Sequence, residues 1–189
     1  MKVKNDRQSQ RTRQAIGDAL LELMMAKGYR AVSIKDIIER ANVGRSTFYA
    51  HFADKDDLFE GQVNRMLEML IQHTPQDALE ENPYFPSLGL FRHVQEQWKL
   101  YKILSWESGN NLHLNHLQKS ISERMEEQLL TGGQAYAIPV PIIANFLSGS
   151  LLSLLKWWLD NKMMYSPEQM DEMFRKLALA GVTQVIHTE

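Results

Sequence analysis

Residues 41–58 read ANVGRSTFYAHFADKDDL, and the fold follows from how this stretch begins. A turn signal at Asn42 leads into a very short segment that is crowded with hydroxyl groups, aromatic rings and a histidine. Asparagine tolerates the left-handed backbone that a tight turn between two helices demands better than most residues do. Because a short polar helix contributes little to a core, the segment from Gly44 is predicted to present its side chains to a partner.

The residues before the turn predict a helix of their own. Ser33 can cap it, and Ile34, Ile37 and Ile38 fall on one of its faces. Together with the second helix, which starts at about Gly44, it forms a helix-turn-helix whose turn is three or four residues long. The second helix carries donors, acceptors and a methyl group, which can meet base edges and phosphates in a major groove: Arg45, Ser46, Thr47 and Tyr49.

Two aromatic residues and one lysine complete this prediction. Phe48 and Phe52 are expected to turn inward and hold the second helix on the first. Lys55 lies at the start of the following helix, where its charge and the backbone N–H groups of a helix N-terminus favour a phosphate. The segment therefore predicts a helix-turn-helix that reads double-stranded DNA.

The rest of the chain also reads as helices, because apolar residues recur at spacings of three and four. The stretch 74–87 carries three prolines and reads as a loop, and nothing alternates with period two for long enough to predict a strand. The predicted fold class is all-α: a three-helix DNA-binding domain over 1–55, then a helical effector-binding and dimerisation domain over 56–189. The other predicted helices span about 10–27, 54–73, 88–105, 114–131, 139–161 and 166–187.

Charge is distributed unevenly along the 189 residues, although the formal net charge is only -2. Residues 1–53 hold 10 Lys and Arg against 5 Asp and Glu, whereas residues 54–189 hold 11 against 18. A basic N-terminal part on an acidic remainder is the charge pattern expected when only the first part meets phosphates. A chance asymmetry of solvated surface is the alternative.

The segment 142–159 is apolar on nearly every side, which leaves a membrane span as one interpretation. Asn145, Ser148 and Lys156 within it favour a helix buried in a soluble assembly instead. With the apolar stripe of the last helix, it predicts a homodimer in which the helices near 139–161 and 166–187 form a four-helix bundle across two subunits. Closure of the monomer's own core is the alternative. No secretory signal is recognised at the N-terminus, so the cytoplasm is the expected location.

The motifs resemble those of TetR-type transcriptional regulators. The pattern G-Y-x-x-x-S-I-x-D-I lies at 28–37, A-N-V-G at 41–44 and T-F-Y-x-H-F-x-x-K-x-x-L at 47–58. The resemblance implies a homodimer whose C-terminal helical domain binds a small effector and whose last two long helices form the interface. Asn42 replaces a turn glycine common in the family, and Gly44 stands where Ser or Thr is frequent. The DNA-contacting residues implied are Ser33, Arg45, Ser46, Thr47, Tyr49, His51 and Lys55.

The function predicted is that of a ligand-responsive repressor that binds a palindromic operator, with activation as the rarer alternative. An unknown small molecule is the expected effector, and no cofactor or metal is expected; His113 and His116 lack an obvious third ligand nearby. Aromatic and polar residues of the C-terminal domain are candidates to line the effector cavity, with plain core packing as the alternative: Phe91, His93, Trp98, Tyr101, Trp106, Met125 and Phe146.

Two other classes of protein are alternatives to a DNA-binding regulator. The chain has no cysteine nucleophile and no P-loop, G-x-G-x-x-G, H-E-x-x-H or G-x-S-x-G motif, so an enzyme is not predicted. A helical dimer that works through protein contacts alone is the second alternative. Thr47, Tyr49 and Lys55 favour DNA binding over it, and a salt-sensitive affinity for duplex DNA separates the two.

Overall fold

A computed structural model of the chain describes residues 2–75, 82–106 and 112–186. Over these residues the chain forms helices, and the only extended pairing described is an isolated antiparallel bridge between Tyr136 and Ile186. The fold is all-α, as predicted. The helices are α1 Lys2–Lys27, α2 Ile34–Ala41, α3 Arg45–Tyr49, α4 Lys55–Gln72, α5 Ser87–Glu96, α6 Trp98–Trp106, α7 Leu112–Thr131, α8 Val140–Asp160, α9 Pro167–Phe174 and α10 Ala180–Gln184, with a π-helical turn over Arg175–Leu179.

The chain divides into two compact units. The first, here called the head, comprises Met1–Asn64 with Lys99–Gly109; the second, the body, comprises Arg65–Trp98 with Asn110–Glu189. Helix α4 is continuous from Lys55 to Gln72 and contributes to both units. The domain division at residue 55 that the sequence predicts stays a prediction.

The head is built on α1, whose apolar residues form its core. Ile16, Leu20 and Met24 are fully buried, and their spacing of four places them on one face of the helix. Gly28, at φ 77°, ends α1 in the left-handed conformation that glycine adopts without steric cost. The helix begins at Lys2, well before the predicted start near residue 10. The early turns lack an apolar stripe, so periodicity did not reveal them, yet no glycine or proline interrupts them.

The predicted helix over 88–105 is two helices, α5 and α6, with a break at Gln97. Gln97 leaves the helical conformation at φ -106° and ψ 25°, and its N–H donates to the carbonyl of His93 at 2.9 Å. The single-helix prediction was wrong because the spacing of three and four residues continues across the break, and neither glycine nor proline marks it.

Helix α8 is the central helix of the body and packs against α7. Leu147, Leu151 and Trp158 are among its fully buried residues, and the side chain of Ser148 is buried with them. By length and composition alone α8 is apolar enough to cross a membrane, a test that a core helix of a soluble protein also passes. A Cβ on Gly149 would lie 3.3 Å from Nε2 of Gln118 on α7, so the small residue accommodates a helix of the same chain.

The last predicted helix is interrupted by the π-helical turn between α9 and α10. Met170, Phe174, Ala178 and Val182 are buried at a constant spacing of four residues. In an uninterrupted α-helix, residues four apart drift by about 40°, or about 120° over these twelve positions. The wider π-turn offsets part of that drift, which keeps the four side chains on the buried face. The apolar stripe predicted the helix but gave no sign of the wider turn.

Candidate functional site

Helix α2 begins with a complete capping box. The Ser33 hydroxyl accepts a hydrogen bond from the backbone N–H of Asp36 at 3.2 Å, while Oδ2 of Asp36 accepts from the backbone N–H of Ser33 at 2.7 Å. Lys27 lies 2.9 Å from the same carboxylate. The hydrogen bond from the Ser33 hydroxyl is the largest cause holding the pKa of Asp36 well below its usual range, and Lys27 adds to it. The cap fixes where the first helix of the motif starts.

The turn between α2 and α3 has the geometry that the sequence predicted. Asn42 lies in the left-handed region at φ 51° and ψ 50°, and its N–H donates to the carbonyl of Glu39 at 3.3 Å. The N–H of Val43 donates to the carbonyl of Ile38 at 3.1 Å. Gly44 is the N-cap of α3 at φ -74° and ψ 154°, and no side-chain hydrogen bond caps this helix. Helix α3 therefore depends on packing more than on capping.

That packing comes from the two phenylalanines predicted to turn inward. Phe48 is fully buried and Phe52 nearly so, with their ring centroids 6.0 Å apart. Arg13 of α1 places its guanidinium 6.0 Å from the Phe52 ring centroid. The side of α3 that bears Phe48 is thus held in the head, which leaves its polar side outward.

Four of the predicted DNA-contacting residues belong to α3. Arg45, Ser46 and Tyr49 are exposed, Tyr49 to 46%, and Thr47 is half-buried. The Arg45 guanidinium carbon lies 5.7 Å from the centroid of the Tyr49 ring, within reach of a cation–π interaction. His51, half-buried, follows the helix. The structure thus brings a cation, hydroxyls and an aromatic ring together on one short helix.

Lys55, the first residue of α4, is bound within the head. Its ammonium donates to the carbonyls of Tyr29 and Val32 at 2.9 and 2.8 Å and lies 4.1 Å from the Tyr29 ring centroid. Burial lowers the pKa of Lys55, and the nearby Asp56 charge opposes that effect. The Tyr29 hydroxyl donates to Asp56 in turn. These contacts fasten α4 to the segment between α1 and α2.

The backbone N–H groups at the start of α4 are occupied by carboxylates. Oδ1 of Asp54 accepts from the N–H groups of Asp56 and Asp57 at 2.9 and 2.8 Å, and Oδ2 of Asp57 accepts from Ala53 at 2.7 Å. From the sequence, these N–H groups are expected to assist Lys55 in binding a phosphate. In the structure the acidic side chains already complement the positive end of the helix.

Comparison with known families gives matches over both parts of the chain. Residues 16–61 match the family described as bacterial regulatory proteins, tetR family, and residues 81–179 match the transcriptional regulator C-terminal region that accompanies it. The second match alone covers more than half of the 189 residues. The chain belongs to the TetR family.

Individual relatives agree with this assignment. YxbF, an HTH-type transcriptional regulator of Bacillus subtilis, is 25% identical over 176 residues, which cover 89% of this chain and 45% of YxbF. This TetR-family chain thus spans less than half the length of that relative. A TetR-family regulator from Syntrophomonas wolfei has a TM-score of 0.67 at 24% identity, covering 92% of this chain and 96% of that one. RolR in complex with resorcinol has a TM-score of 0.55 at 23% identity, covering 95% and 90%. At these identities the two structures show the fold alone.

The body of this TetR-family chain contains a cavity of about 410 Å³. Residues between 69 and 75 at and after the end of α4, Asn82 and Pro86 before α5, α5 itself and Asp171 of α9 line it. Its apolar lining includes Met69, Leu70 and Leu88, while Arg92, His93 and Glu96 of α5 are among its ionisable groups. Burial lowers the pKa of His93, against the opposing charge of Glu96, so the imidazole is neutral at pH 7.

A buried polar network forms one wall of the cavity. Nδ2 of Asn82 donates to the Ser87 hydroxyl at 2.8 Å, and that hydroxyl donates to Oδ1 of Asp171 on α9. Nε of Arg175 donates to Oδ2 of Asp171 at 2.9 Å. Asn82, Ser87 and Asp171 are all buried, and all three line the cavity. The cavity therefore has an acceptor group, the Asp171 carboxylate, at a place shielded from water.

Of the residues predicted to line an effector cavity, His93 lines this one. Phe91 and Met125 are fully buried in the body, and Phe91 packs edge-to-face on Trp158 with ring centroids 5.6 Å apart. Trp98 and Phe146 are exposed to 38% and 58%, Tyr101 is buried within the head, and the side chain of Trp106 lies outside the described residues. The residues predicted to line one effector cavity thus lie in several different environments.

Asn82, Ser87 and Asp171 are cavity residues that the sequence does not predict. One signal was present for Asp171, because it falls within the buried stripe of α9 between Met170 and Phe174. A carboxylate at such a position needs compensating donors, since burying an uncompensated charge costs several kcal/mol or more. No comparable local pattern marks Asn82 or Ser87.

Proposed function

We propose that this TetR-family regulator is a ligand-responsive repressor that binds a palindromic DNA operator as a homodimer in the cytoplasm. The observation that carries the proposal is α3, a five-residue helix with Phe48 buried and with Arg45, Ser46 and Tyr49 exposed. A short helix that buries one side chain and turns its polar side chains outward is suited to enter a major groove, where those side chains meet base edges.

Within α3 we assign different roles to the predicted contacts. Arg45 reads bases, because a guanidinium can donate two hydrogen bonds to one guanine, and the Tyr49 ring 5.7 Å away holds it in place. Ser46, Thr47 and His51 supply further base or phosphate contacts. Lys55 and Ser33 support the motif through the contacts already described, and any phosphate bond they make adds to that role.

The homodimer is supported by the apolar groups that the body leaves exposed. On α8, Ile142, Phe146 and Trp157 are exposed to 58%, 58% and 45%, and their spacing places them on one face. Leu177 of the π-turn is exposed to 77%. An exposed apolar surface of this kind marks a site of association, and a second copy of the chain is the partner that a palindromic operator requires.

The cavity in the body is the proposed effector site. Its volume of about 410 Å³ lies in the range of small-molecule pockets. RolR, which shares the fold, binds resorcinol, so this architecture can hold a small aromatic ligand. Met69 and Leu70 of α4 line the cavity, while the first residues of the same helix belong to the head. A ligand that favours one conformation of α4 can thereby shift the population of DNA-binding molecules.

Selection of bound duplexes from a random DNA pool by the purified chain tests this proposal. A dimeric reader should enrich two inverted half-sites about one helical turn or slightly more apart. Failure to enrich any sequence, although the chain is folded and dimeric, would instead favour a protein that acts through protein contacts.

Single substitutions distinguish a residue that reads bases, Arg45, from one that supports the motif, Lys55. Arg45→Ala should relax the selected sequence at one position of each half-site, at a cost of about 1–3 kcal/mol for the preferred operator. Lys55→Ala should weaken binding to all duplexes about equally. It should also lower the unfolding temperature, because Nζ of Lys55 donates hydrogen bonds to two backbone carbonyls, those of Tyr29 and Val32. Arg30→Ala, which removes an exposed charge of the head outside α3, is the matched control. Equal losses across sequences for Arg45→Ala would contradict its role in base readout.

A further inference from the structure

We propose that the cavity of the body selects an apolar molecule carrying one amine or hydroxyl group, and that Asp171 is the residue that recognises this group. The inference rests on the proposed function in that it assigns a ligand class to the proposed effector site. It is carried by the placement of a buried carboxylate in the wall of a cavity whose other surfaces are largely apolar.

The carboxylate retains capacity for further hydrogen bonds. An ionised carboxylate accepts about four, and within the described part of the chain Asp171 receives two, from Ser87 and Arg175. Asp171 is 6% exposed and lines the cavity. Because a carboxylate only accepts, a ligand must donate to it, which an amine or a hydroxyl does and a carboxylate ligand does not.

The remaining charges around the cavity favour the same class. Arg92 is the guanidinium among the lining groups, and its Nε and Nη2 donate to Glu168 of α9 at 3.1 and 3.0 Å. Its charge is thus balanced by a carboxylate, as the charge of Asp171 is balanced by Arg175. Glu96 adds one further negative charge to the lining, and His93 is neutral at pH 7. The local field therefore disfavours an anionic ligand.

One glycine of the cavity lining allows the cavity to be filled by substitution. Gly89 of α5 lines the cavity, and a Cβ built there would lie 3.6 Å from Cδ2 of Leu70 and 3.9 Å from Oγ1 of Thr74. These are ordinary contact distances, so a Cβ fits at position 89 without displacing its neighbours. Gly89 therefore offers a way to fill the site from within.

Three probes with a common apolar part test the ligand class: 4-phenylbutylamine, 4-phenylbutan-1-ol and 4-phenylbutyrate. Their binding to the full chain at pH 7.5 is measured by calorimetry and by the shift in unfolding temperature. The amine and the alcohol should bind, raising Tm by about 3 °C at tenfold excess over Kd, and the carboxylate should bind at least tenfold more weakly. Equal or tighter binding of 4-phenylbutyrate, or no binding of any probe up to its solubility limit, overturns the proposal.

Two substitutions and one control variant locate the site. Gly89→Leu should abolish binding of the amine and the alcohol, whereas Gly132→Leu, which adds the same side chain at an exposed position outside the cavity, should leave both unchanged. Asp171→Asn should weaken the amine about tenfold and the alcohol much less, because it removes a charged acceptor but keeps an oxygen. Binding that survives Gly89→Leu contradicts the assignment, and this arm decides the matter if Asp171→Asn does not fold.

Binding of operator DNA by the same probe-free preparation separates this inference from the proposed function. DNA binding without binding of the amine or the alcohol leaves a DNA-binding repressor and removes the ligand class. Binding of those probes without DNA binding keeps the cavity assignment and removes the proposed function.

Discussion

The helix caps of the head and the cavity wall of the body use polar side chains over different distances along the chain. In the head, Ser33 bonds to Asp36 and Asp54 bonds to Asp56, two or three residues away. In the body, Ser87 bonds to Asp171, which is 84 residues away. The caps of α2 and α4 are therefore specified by neighbouring residues, whereas the wall of the cavity exists only after distant helices have packed. Substitutions that remove hydrogen bonds of either kind should show how much stability the local and the long-range bonds contribute.

Phe48→Ala should have the largest effect. Phe48 is the residue of α3 that is fully buried, and removing a buried phenyl group costs about 3–5 kcal/mol because the transfer term and the cavity term add. The free energy of unfolding, measured by denaturant titration, should fall by this amount, and affinity for operator DNA should be lost with it.

Tyr49→Ala is the matched control, since it truncates the next aromatic residue, which is 46% exposed. Its free energy of unfolding should change by less than about 1 kcal/mol, while DNA affinity falls because Arg45 loses the ring beside it. If Tyr49→Ala destabilised the chain as much as Phe48→Ala does, the inward and outward sides of α3 would have been misassigned.

The same contrast explains what the sequence could predict. Asn42 in the left-handed conformation, the Ser33 cap and the inward phenylalanines are each set by a few adjacent residues, and the structure agrees with them. The break at Gln97 and the π-turn over Arg175–Leu179 were missed, because both preserve an apolar spacing of three or four residues.

Prediction of the functional residues from the sequence fails for the same physical reason, because distant contacts decide their roles. His93 was among the predicted cavity residues, but an aromatic side chain on a helix looks alike whether it meets a cavity or a core, as Phe91 shows. Asp171 and Ser87 acquire their roles from each other, across two helices that sequence periodicity does not place together. Lys55 belongs to the family's sequence motif, but only the structure reveals the backbone carbonyls to which it donates.

Asp171→Ala should have the second largest effect and should act on the body. The substitution removes the carboxylate to which the Ser87 hydroxyl and Nε of Arg175 donate, and the loss of a buried hydrogen-bond partner costs about 1–3 kcal/mol. We expect a loss of about 2 kcal/mol, reduced from the fully buried case because the Arg175 side chain is 30% exposed. Chemical denaturation provides the measurement. Glu172→Ala, which removes the next carboxylate on α9, is the control, and it should leave stability nearly unchanged because that side chain is exposed.

Ser33→Ala should cost less, about 1 kcal/mol, which is typical of a lost N-cap. Its signature should be its dependence on pH. The pKa of Asp36 is depressed mainly by the Ser33 hydroxyl, so its contribution to stability is present above the usual carboxylate pKa of 3.8 and is lost as the pH falls below that value. The difference between wild type and variant should therefore shrink below about pH 4. A difference that stays constant from pH 7 to pH 3 would mean that the capping box is not the source of the effect.

Gly44→Ser should have the smallest effect on stability and should test what α3 lacks. The Gly44 backbone, at φ -74° and ψ 154°, is accessible to any residue, and a Cβ there would lie 3.6 Å from Oγ1 of Thr47. Serine at an N-cap is better than glycine by only a few tenths of a kcal/mol, so the unfolding midpoint should barely rise. DNA affinity should rise more than stability, because the new hydroxyl lies at the start of the reading helix, where a phosphate contact is otherwise missing. Thermal unfolding measures the gain in stability, and titration of operator DNA measures the gain in affinity. Comparing the two shows whether the glycine mainly weakens the helix cap or mainly removes a contact to DNA. A gain in stability without a gain in affinity would show that Gly44 weakens the cap of α3 and that no phosphate contact is missing there.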